Sequence, residues 1–263
     1  MITHIAQITD IHLGGEYNGM YTPHENFKAL IDAIPSNYFV VITGDLADHD
    51  HRGYYEEIKS MIEQRFGDKY AVLPGNHDDV NVLDEVFGEQ HTKSTVFGMV
   101  PISLVPTVHK EGTNDGQIRE GTDLGTAIQE NGLVFTHYPV VETTHKFMNK
   151  YALLDADKFS ILNEMTRKKS TMIFCGHYHS NTFSLHTTTV KEMQRPQQVV
   201  INELSRQTIK QYICPASQCQ IAVDNDNFEC VSKVPYWNSI LCYIADETGE
   251  ICSIDVKTYE VKK

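Results

Sequence analysis

The sequence of 263 residues has no apolar run that approaches the ~18–20 residues of a membrane-spanning helix. Its start, Met1 to His4, has no basic segment, so we expect no secretory signal peptide. Basic residues are few, because 22 Lys and Arg stand against 35 Asp and Glu, for a formal net charge of −13. That charge repels nucleic acid backbones and anionic membranes, so we expect neither as a partner. An anionic substrate would need local positive charge, which bound divalent cations supply.

Cysteine pairs of the C-x-x-C type, which bind zinc or carry out redox chemistry, are also missing. A disulfide framework is not expected in a chain of this size. We therefore expect buried, reduced thiols and a cytoplasmic location. The six cysteines are Cys175, Cys214, Cys219, Cys230, Cys242 and Cys252.

No linker, repeat or low-complexity segment divides the chain, so we expect a single domain over residues 1–263. The weakest pattern is that of residues 190–211, which include Pro196 and a helical pattern over 202–210. We expect this segment to form a lid or a subunit contact, the latter in a homodimer.

The stretch Gly75-Asn76-His77-Asp78 follows a short apolar run, Tyr70 to Pro74, that is typical of a buried strand. Pro74 and Gly75 end the strand and favour a turn. An amide, an imidazole and a carboxylate are thus presented where a strand ends, which is where ligands bind in open α/β sheets. Asn and His in a turn are also ordinary turn chemistry, and this stretch alone does not separate the two interpretations.

Four more stretches have the same layout, a strand pattern followed by polar side chains. They are Asp10-Ile11-His12, Gly44-Asp45, His137 and Gly176-His177-Tyr178-His179. Asp10 and His12 are two residues apart, so on an extended segment they point to the same face. If the five strands share one sheet, seven candidate ligands converge on one rim. These are Asp10, His12, Asp45, Asn76, His137, His177 and His179.

Helical spacing of apolar residues predicts helices between these strands. After His179 strand patterns dominate, and they predict a second, mainly antiparallel sheet that packs on the first. The predicted helices cover residues 24–34, 53–66, 80–90 and 155–168, the last with an aspartate cap. The predicted late strands cover 182–190, 199–201, 211–214, 218–223, 238–245 and 251–256. Residues 109–125 are rich in Gly, Asp, Thr and Asn and predict a surface loop.

The ordered series D-x-H, G-D, G-N-H-D, H and G-H-x-H resembles the calcineurin-like metallophosphoesterase superfamily. The blocks run from Asp10 to His179, with no substitution at a ligand position. The resemblance implies an α/β fold, a four-layer α/β/β/α sandwich of two mixed sheets flanked by helices. It also implies a metal-dependent phosphodiester hydrolase.

That resemblance further implies two metal ions, of iron, manganese or zinc. The first would be bound by Asp10, His12 and His179, and the second by Asn76, His137 and His177, with Asp45 bridging. His77 would contact the phosphate or protonate the leaving oxygen. A hydroxide between the two ions would attack phosphorus. Asp78 and Thr136 are candidates for orienting the ligands, or else they make local turn and strand hydrogen bonds.

In length and tail pattern the chain resembles the bacterial class III cyclic nucleotide phosphodiesterases. Ile213-Cys214-Pro215-Ala216-Ser217 is similar to a Pro-Ser strand of that group, but Ala216 separates Pro215 from Ser217. A 3′,5′-cyclic nucleotide, cyclic AMP above all, is then the expected substrate, and Tyr17, Tyr21, Tyr138 and Tyr178 are candidates for stacking on its base. A glycerophosphodiesterase, a broad phosphatase and a non-catalytic interaction scaffold are the alternatives.

Overall fold

The computed structural model describes residues 1–15, 22–48, 52–190 and 205–261. Within these residues the helices are α1 (Pro23–Ala33), α2 (Arg52–Phe66), α3 (Val80–Phe87), α4 (Glu89–Thr92), α5 (Leu124–Ala127) and α6 (Asp155–Arg167), with a 3₁₀ helix at Met148–Tyr151. The first eight strands are β1 (Ile2–Ile8), β2 (Phe39–Thr43), β3 (Tyr70–Leu73), β4 (Thr95–Phe97), β5 (Val100–Leu104), β6 (Thr107–His109), β7 (Gly116–Ile118) and β8 (Leu133–Phe135). The remaining strands are β9 (Met172–Cys175), β10 (Thr182–Val190), β11 (Ser205–Ile213), β12 (Gln220–Ile221), β13 (Cys230–Ser232), β14 (Tyr236–Ile244) and β15 (Ile251–Glu260).

Two mixed sheets form the centre of the fold. The first has the strand order β15-β14-β1-β2-β3, and the second has the order β10-β11-β9-β8-β5-β4. In the first, β1, β2 and β3 are parallel, and β14 and β15 are antiparallel to their neighbours. In the second, β5, β8, β9 and β11 are parallel, and β4 and β10 are antiparallel edge strands.

Alternating apolar residues divide the core into three parts, because successive side chains of a strand point to opposite faces. Val40 and Ile42 of β2 pack with the helices on the outer face of the first sheet, whereas Val41 faces the second sheet. Phe135 and Phe174 line the space between the sheets, and Ile173 packs with α6 on the far side. The result is a four-layer α/β/β/α sandwich, as predicted.

Gln7 of β1 links the two sheets at the end that carries the polar blocks. Its Nε2 donates to Thr43 Oγ1 in the first sheet at 3.0 Å and to the Cys175 carbonyl oxygen in the second at 2.9 Å. Asn238 Nδ2 donates to Gln7 Oε1 at 3.1 Å. Because the buried amide is satisfied only when both sheets are in register, it favours the alignment that brings their strand ends together.

The condition that the five strands share one sheet is not met, and the prediction of a separate late sheet is wrong. The five polar blocks do not share one sheet, since three follow β1, β2 and β3 and two follow β8 and β9. The late strands do not form a sheet of their own, because β10 and β11 join the second sheet and β14 and β15 join the first. Period-2 patterns locate a strand, but they do not say which neighbour it pairs with.

Residues 205–210 were expected to continue a helix, and they form part of β11 instead. This strand pairs with β9 and β10, so the described residues of segment 190–211 lie in the second sheet. The lid or subunit contact stays a prediction. Residues 191–204, with the expected strand at 199–201, lie outside the described residues. The single domain, the homodimer and the cytoplasmic location stay predictions.

Smaller differences concern loops and caps. The expected loop at 109–125 includes the end of the β6–β7 hairpin, and the expected strand at 218–223 shortens to the two residues of β12. Leu154 occupies the N-cap position of α6 without a side-chain hydrogen bond, so the predicted aspartate cap is wrong. In the described part of the chain no helix is both long and apolar enough to cross a membrane.

Candidate metal centre and active-site cavity

The turns after β1, β2 and β9 hold five candidate ligands in an uncommon backbone conformation. The positive φ angles are 53° at Asp10, 49° at His12, 51° at Asp45, 66° at His177 and 47° at His179. Non-glycine residues rarely adopt this region, and such residues concentrate at functional sites, where the surrounding structure holds them in place. Each strand therefore ends in a turn that directs a polar side chain toward the others.

Glycines precede several of the ligands because the backbones of neighbouring turns approach one another too closely to leave room for a side chain. At Gly44, where φ is 94°, a Cβ atom would collide with Nδ1 of His137. At Gly75 it would collide with Oδ1 of Asp45. The glycines of the G-D and G-N-H-D blocks thus allow ligands of different strands to meet.

The first cluster consists of Asp10, His12 and His179. Nε2 of His12 and Nε2 of His179 are 3.3 Å apart. Oδ1 of Asp10 is 3.3 Å from His179 Nε2 and 4.0 Å from His12 Nε2. Two imidazoles and a carboxylate from the two sheets thus converge on one point.

The second cluster consists of Asp45, His137 and His177, with Asn76 beside it. Nε2 of His137 lies 3.0 Å from Asn76 Oδ1 and 3.3 Å from Asp45 Oδ2. The same Asp45 oxygen is 3.7 Å from His12 Nε2 in the first cluster. Asp45 Oδ2 therefore lies between the two clusters.

Hydrogen bonds fix which nitrogen of each histidine faces the clusters. Nδ1 of His12 donates to Asp48 Oδ1 at 2.8 Å, and Nδ1 of His137 donates to the Thr43 carbonyl oxygen at 2.8 Å. Carboxylate and carbonyl oxygens only accept, so these nitrogens carry the proton. His179 Nδ1 is held at 3.0 Å by the carbonyl oxygen of Cys219, and His177 Nε2 at 2.9 Å by that of Tyr151. The second nitrogen of each ring is thereby directed at the clusters, as in metal-binding histidines.

These residues fit divalent cations. Oδ1 of Asp10 is fully buried and accepts no hydrogen bond from the described residues. A buried carboxylate oxygen without such a bond is costly unless a cation lies next to it. The ligand atoms are oxygen and imidazole nitrogen, without thiolate sulfur, which suits iron, manganese or zinc.

The buried carboxylates and histidines of the clusters strongly shift one another's pKa values. Burial raises the pKa of Asp45, but the nearby His137 and His77 outweigh it and hold that pKa well below the ordinary value. Burial acts against protonation of His137, yet Asp45 raises its pKa to about 9. His177 is buried beside His137, and its pKa falls to about 3. Cations would replace the protons that now balance these carboxylates.

Asp48 holds two histidines through one oxygen. Besides His12, its Oδ1 lies 2.7 Å from Nδ1 of His77. The His77 side chain is 47% exposed, its ring lies edge-on to His12 at 4.8 Å, and its backbone nitrogen donates to Asp45 Oδ1 at 2.9 Å. The charge of Asp45, aided by Asp48 and opposed by burial, raises the pKa of His77 to about 9. His77 therefore belongs to neither cluster, although with His12 and Asp48 it forms a third group whose ligand atoms lie within 4.8 Å of one another.

Asp78 joins the two turns that carry Asp45 and Asn76. It accepts from the backbone nitrogens of Leu46 at 3.0 Å and Gly75 at 2.8 Å, and from the Tyr55 hydroxyl at 3.2 Å. Burial and the charge of Asp45 raise its pKa to about 6. Thr136, by contrast, pairs its hydroxyl with that of Thr107 at 3.0 Å.

The sequence model of the family described as calcineurin-like phosphoesterase matches residues 3–181. The protein belongs to the calcineurin-like phosphoesterase family. It is therefore a metal-dependent phosphoesterase, and the resemblance seen in the five sequence blocks is confirmed.

Relatives of this phosphoesterase include two probable cyclic nucleotide phosphodiesterases. That of Colwellia psychrerythraea is 29% identical over 254 residues, covering 90% of this chain and 89% of the relative. That of Coxiella burnetii is 27% identical over 194 residues, covering 67% of this chain and 76% of the relative. Among solved structures, a purple acid phosphatase from yellow lupin (Lupinus luteus) seeds superposes with a TM-score of 0.51 at 14% identity. The match covers 97% of this chain and 53% of that one, and it shows the fold alone.

The clusters of this phosphoesterase open into a cavity of about 370 Å³. Besides ligands and His77, the lining includes Asp48, His109, Asn114, Tyr138, Phe147, Met148, Tyr151, Gln218, Cys219, Ile221 and Phe228. Tyr178 does not line it and is only 2% exposed, whereas Tyr138 lines it but is only 1% exposed. Both rings are therefore almost fully buried. Tyr17 and Tyr21 lie outside the described residues.

Several residues of this cavity escape prediction from sequence. Asp48 had a signal, because it follows Asp45 by one short turn and is acidic. Tyr151 and Cys219 act through carbonyl oxygens, which any residue type provides. Phe228 lies in a loop after β12, far from the polar blocks along the chain, and nothing local marks it.

Proposed function

We propose that this phosphoesterase hydrolyses 3′,5′-cyclic nucleotides, above all cyclic AMP to the 5′-monophosphate. The observation that carries the proposal is the pair of clusters that meet at Asp45 Oδ2 inside a small cavity. Relatives at 29% and 27% identity are described as probable cyclic nucleotide phosphodiesterases, which supports the substrate class. A volume of about 370 Å³ suits a small ligand better than a polymer.

In this proposal Asp10, His12 and His179 bind one divalent ion. Asn76, His137 and His177 bind the other, and Asp45 touches both. Iron, manganese and zinc all suit such ligands. When bound, the ions supply an activated water and positive charge against the phosphoryl oxygens. In a chain of net charge −13 this local charge is what allows an anionic substrate to approach.

His77 is proposed as the residue that contacts the phosphate and protonates the leaving oxygen. Asp48 accepts from its Nδ1 at 2.7 Å, which leaves Nε2 as the nitrogen that can face the substrate. The ring is partly exposed to the cavity rather than enclosed among ligands. General-acid assistance of this kind contributes roughly 10²–10⁴-fold to the rate. Asn76, which reaches the cavity as well, is proposed to contact the phosphate.

The test is a comparison of kcat/KM for cyclic AMP, cyclic GMP, bis(p-nitrophenyl) phosphate, glycerophosphocholine and p-nitrophenyl phosphate in one Mn²⁺ buffer. Cyclic AMP should give the highest value among the unactivated esters, and chelation should abolish turnover. A higher kcat/KM for glycerophosphocholine than for cyclic AMP would identify the protein as a glycerophosphodiesterase. If the monoester exceeds every diester, the chain is a phosphatase. Absence of metal-dependent turnover on all five substrates would favour the interaction scaffold.

A further inference from the structure

One side of the cavity is formed by three aromatic rings, which we name the aromatic wall: Phe147, Tyr151 and Phe228. The rings of Phe147 and Tyr151 are 5.4 Å apart at 50°, and those of Phe147 and Phe228 are 6.1 Å apart at 70°. Met148 and Ile221 add apolar surface to the same cavity. Phe228 is still 41% exposed, so a flat ligand placed here would remove apolar surface from water.

The wall comes from two segments that are distant in sequence but bound to each other. The first carries the 3₁₀ helix, and the second is the loop between β12 and β13. The Lys146 backbone nitrogen donates to the Val223 carbonyl oxygen at 3.1 Å. The Lys150 ammonium donates to the Asp226 carbonyl oxygen at 2.7 Å. These bonds support the Phe147–Phe228 contact, so the wall is a built surface rather than a chance meeting of loops.

Each segment is also tied to a histidine of the clusters. Tyr151 accepts from His177 Nε2 at 2.9 Å through its carbonyl oxygen. Directly before the second segment, the Cys219 carbonyl oxygen accepts from His179 Nδ1 at 3.0 Å, and the Ile221 nitrogen of β12 donates to the His179 carbonyl oxygen at 2.9 Å. The wall is therefore held in a set position relative to the phosphate-binding centre.

We propose that the aromatic wall binds the base of a cyclic nucleotide while its phosphate lies at the clusters. This inference rests on the proposed function and names the residues that would select for a base. Aromatic rings stack on any base, because every base has a π face. Selectivity for nucleotides over other phosphodiesters then depends on Phe147, Tyr151 and Phe228.

Aromatic rings also bind quaternary ammonium groups such as choline, so the charge around the wall matters. The Lys150 ammonium already lies 5.7 Å from the centroid of the Phe147 ring. A second cation on the wall would be repelled by Lys150, whereas an uncharged base would not. The wall therefore favours a nucleobase over the choline of glycerophosphocholine.

The first experiment measures a ratio of kcat/KM values for the Mn²⁺-loaded enzyme. The ratio divides kcat/KM for cyclic AMP by kcat/KM for a methyl riboside 3′,5′-cyclic phosphate. The second compound has the same ring phosphate but no base. The variant Phe228→Leu should lower this ratio, and so should the double variant that combines Phe147→Leu with Phe228→Leu. The loss of stacking predicts a decrease of roughly 5- to 150-fold. Phe228→Tyr retains a ring and should restore the ratio. Phe159→Leu, at a phenylalanine on α6 that is 67% exposed, is the matched control and should keep the wild-type ratio.

The second experiment needs neither metal nor turnover. Saturation-transfer NMR with adenosine and chelated protein should show contact of the base protons in the wild type and in Phe159→Leu, and a weaker signal in Phe228→Leu. A ratio within about twofold of wild type in the double variant, together with unchanged adenosine contact, would overturn the proposal. If the wild type hydrolyses neither cyclic phosphate, the proposed function fails, and adenosine binding still decides whether the wall binds a base.

Discussion

Nδ1 of His77 lies 2.7 Å from Oδ1 of Asp48, and that oxygen also accepts from His12 Nδ1 at 2.8 Å. One carboxylate thus orients a proposed metal ligand and the proposed general acid together. Residues that orient ligands in this way typically contribute roughly 10–100-fold to metal affinity or activity.

Asp48→Ala should therefore reduce kcat and raise the Mn²⁺ concentration needed for half-maximal activity, each by about 10-fold or more. Asp48→Asn should recover part of both losses, because the amide oxygen still accepts hydrogen bonds. Steady-state kinetics over a Mn²⁺ titration measure the two effects. Values within about twofold of wild type in Asp48→Ala would show that the shared contact has no functional weight.

His77→Ala should lower turnover while metal content stays near that of wild type, because His77 lies outside both clusters. The loss should reach roughly 10²–10⁴-fold for cyclic AMP and shrink for bis(p-nitrophenyl) phosphate, whose leaving group needs little protonation. His24→Ala, at an exposed histidine of α1, is the control. Loss of metal in His77→Ala, measured by plasma mass spectrometry, would make His77 a ligand instead.

Asp45→Ala should lose both ions, and Asp10→Ala should lose mainly one. Oδ2 of Asp45 lies 3.3 Å from His137 Nε2 and 3.7 Å from His12 Nε2, whereas Asp10 belongs to the first cluster alone. Wild-type protein incubated with Mn²⁺ should contain about two ions per chain, as expected for a two-metal site. Selective loss of a single ion in Asp45→Ala would show that Asp45 does not bridge.

Asp78→Asn should destabilise the fold and weaken metal binding. The carboxylate accepts from two turns and from Tyr55, and an amide offers only one oxygen in its place. Each buried donor left without a partner costs about 1–3 kcal/mol. Asp79→Asn is the matched control, because Asp79 caps α3 and asparagine caps equally well. Urea unfolding of the chelated variants measures the difference, and equal midpoints would contradict this role of Asp78.

Metal binding at pH 7 should release protons. Despite burial, Asp45 raises the pKa of His137 to about 9, and Asp10 likewise holds the pKa of His179 well above its ordinary value. A cation needs neutral imidazole, so apparent affinity should rise with pH toward 9 and fall on acidification. The folding stability of the chelated protein should instead fall as the pH rises. The raised pKa of His137 contributes its full stabilisation below about pH 6.5, and this contribution is lost as the pH rises through 9. Calorimetric Mn²⁺ titrations in buffers of different ionisation enthalpy count the protons, and a count of zero at pH 7 would refute the prediction.

The polar blocks and their chemistry could be read directly from the sequence. Each candidate ligand follows a run of apolar residues, and strand ends in α/β folds are where ligands meet. The glycines at 44 and 75 belong to the same short motifs, because the close approach they allow is a local backbone property. The bounds of α2 and β14 also followed closely from spacing, since burial of one face imposes a period.

Sequence alone determined the candidate metal ligands, because their types and their order are local properties of five short blocks. Only the tertiary structure decided that the blocks come from two sheets, that Gln7 links those sheets, and that Asp48 serves two histidines at once. It also decided that Phe147 and Phe228 meet beside the clusters, while Tyr178 is buried. These relationships join residues far apart in the chain, and the pairing of strands and packing of loops that create them depend on the whole core rather than on any local pattern.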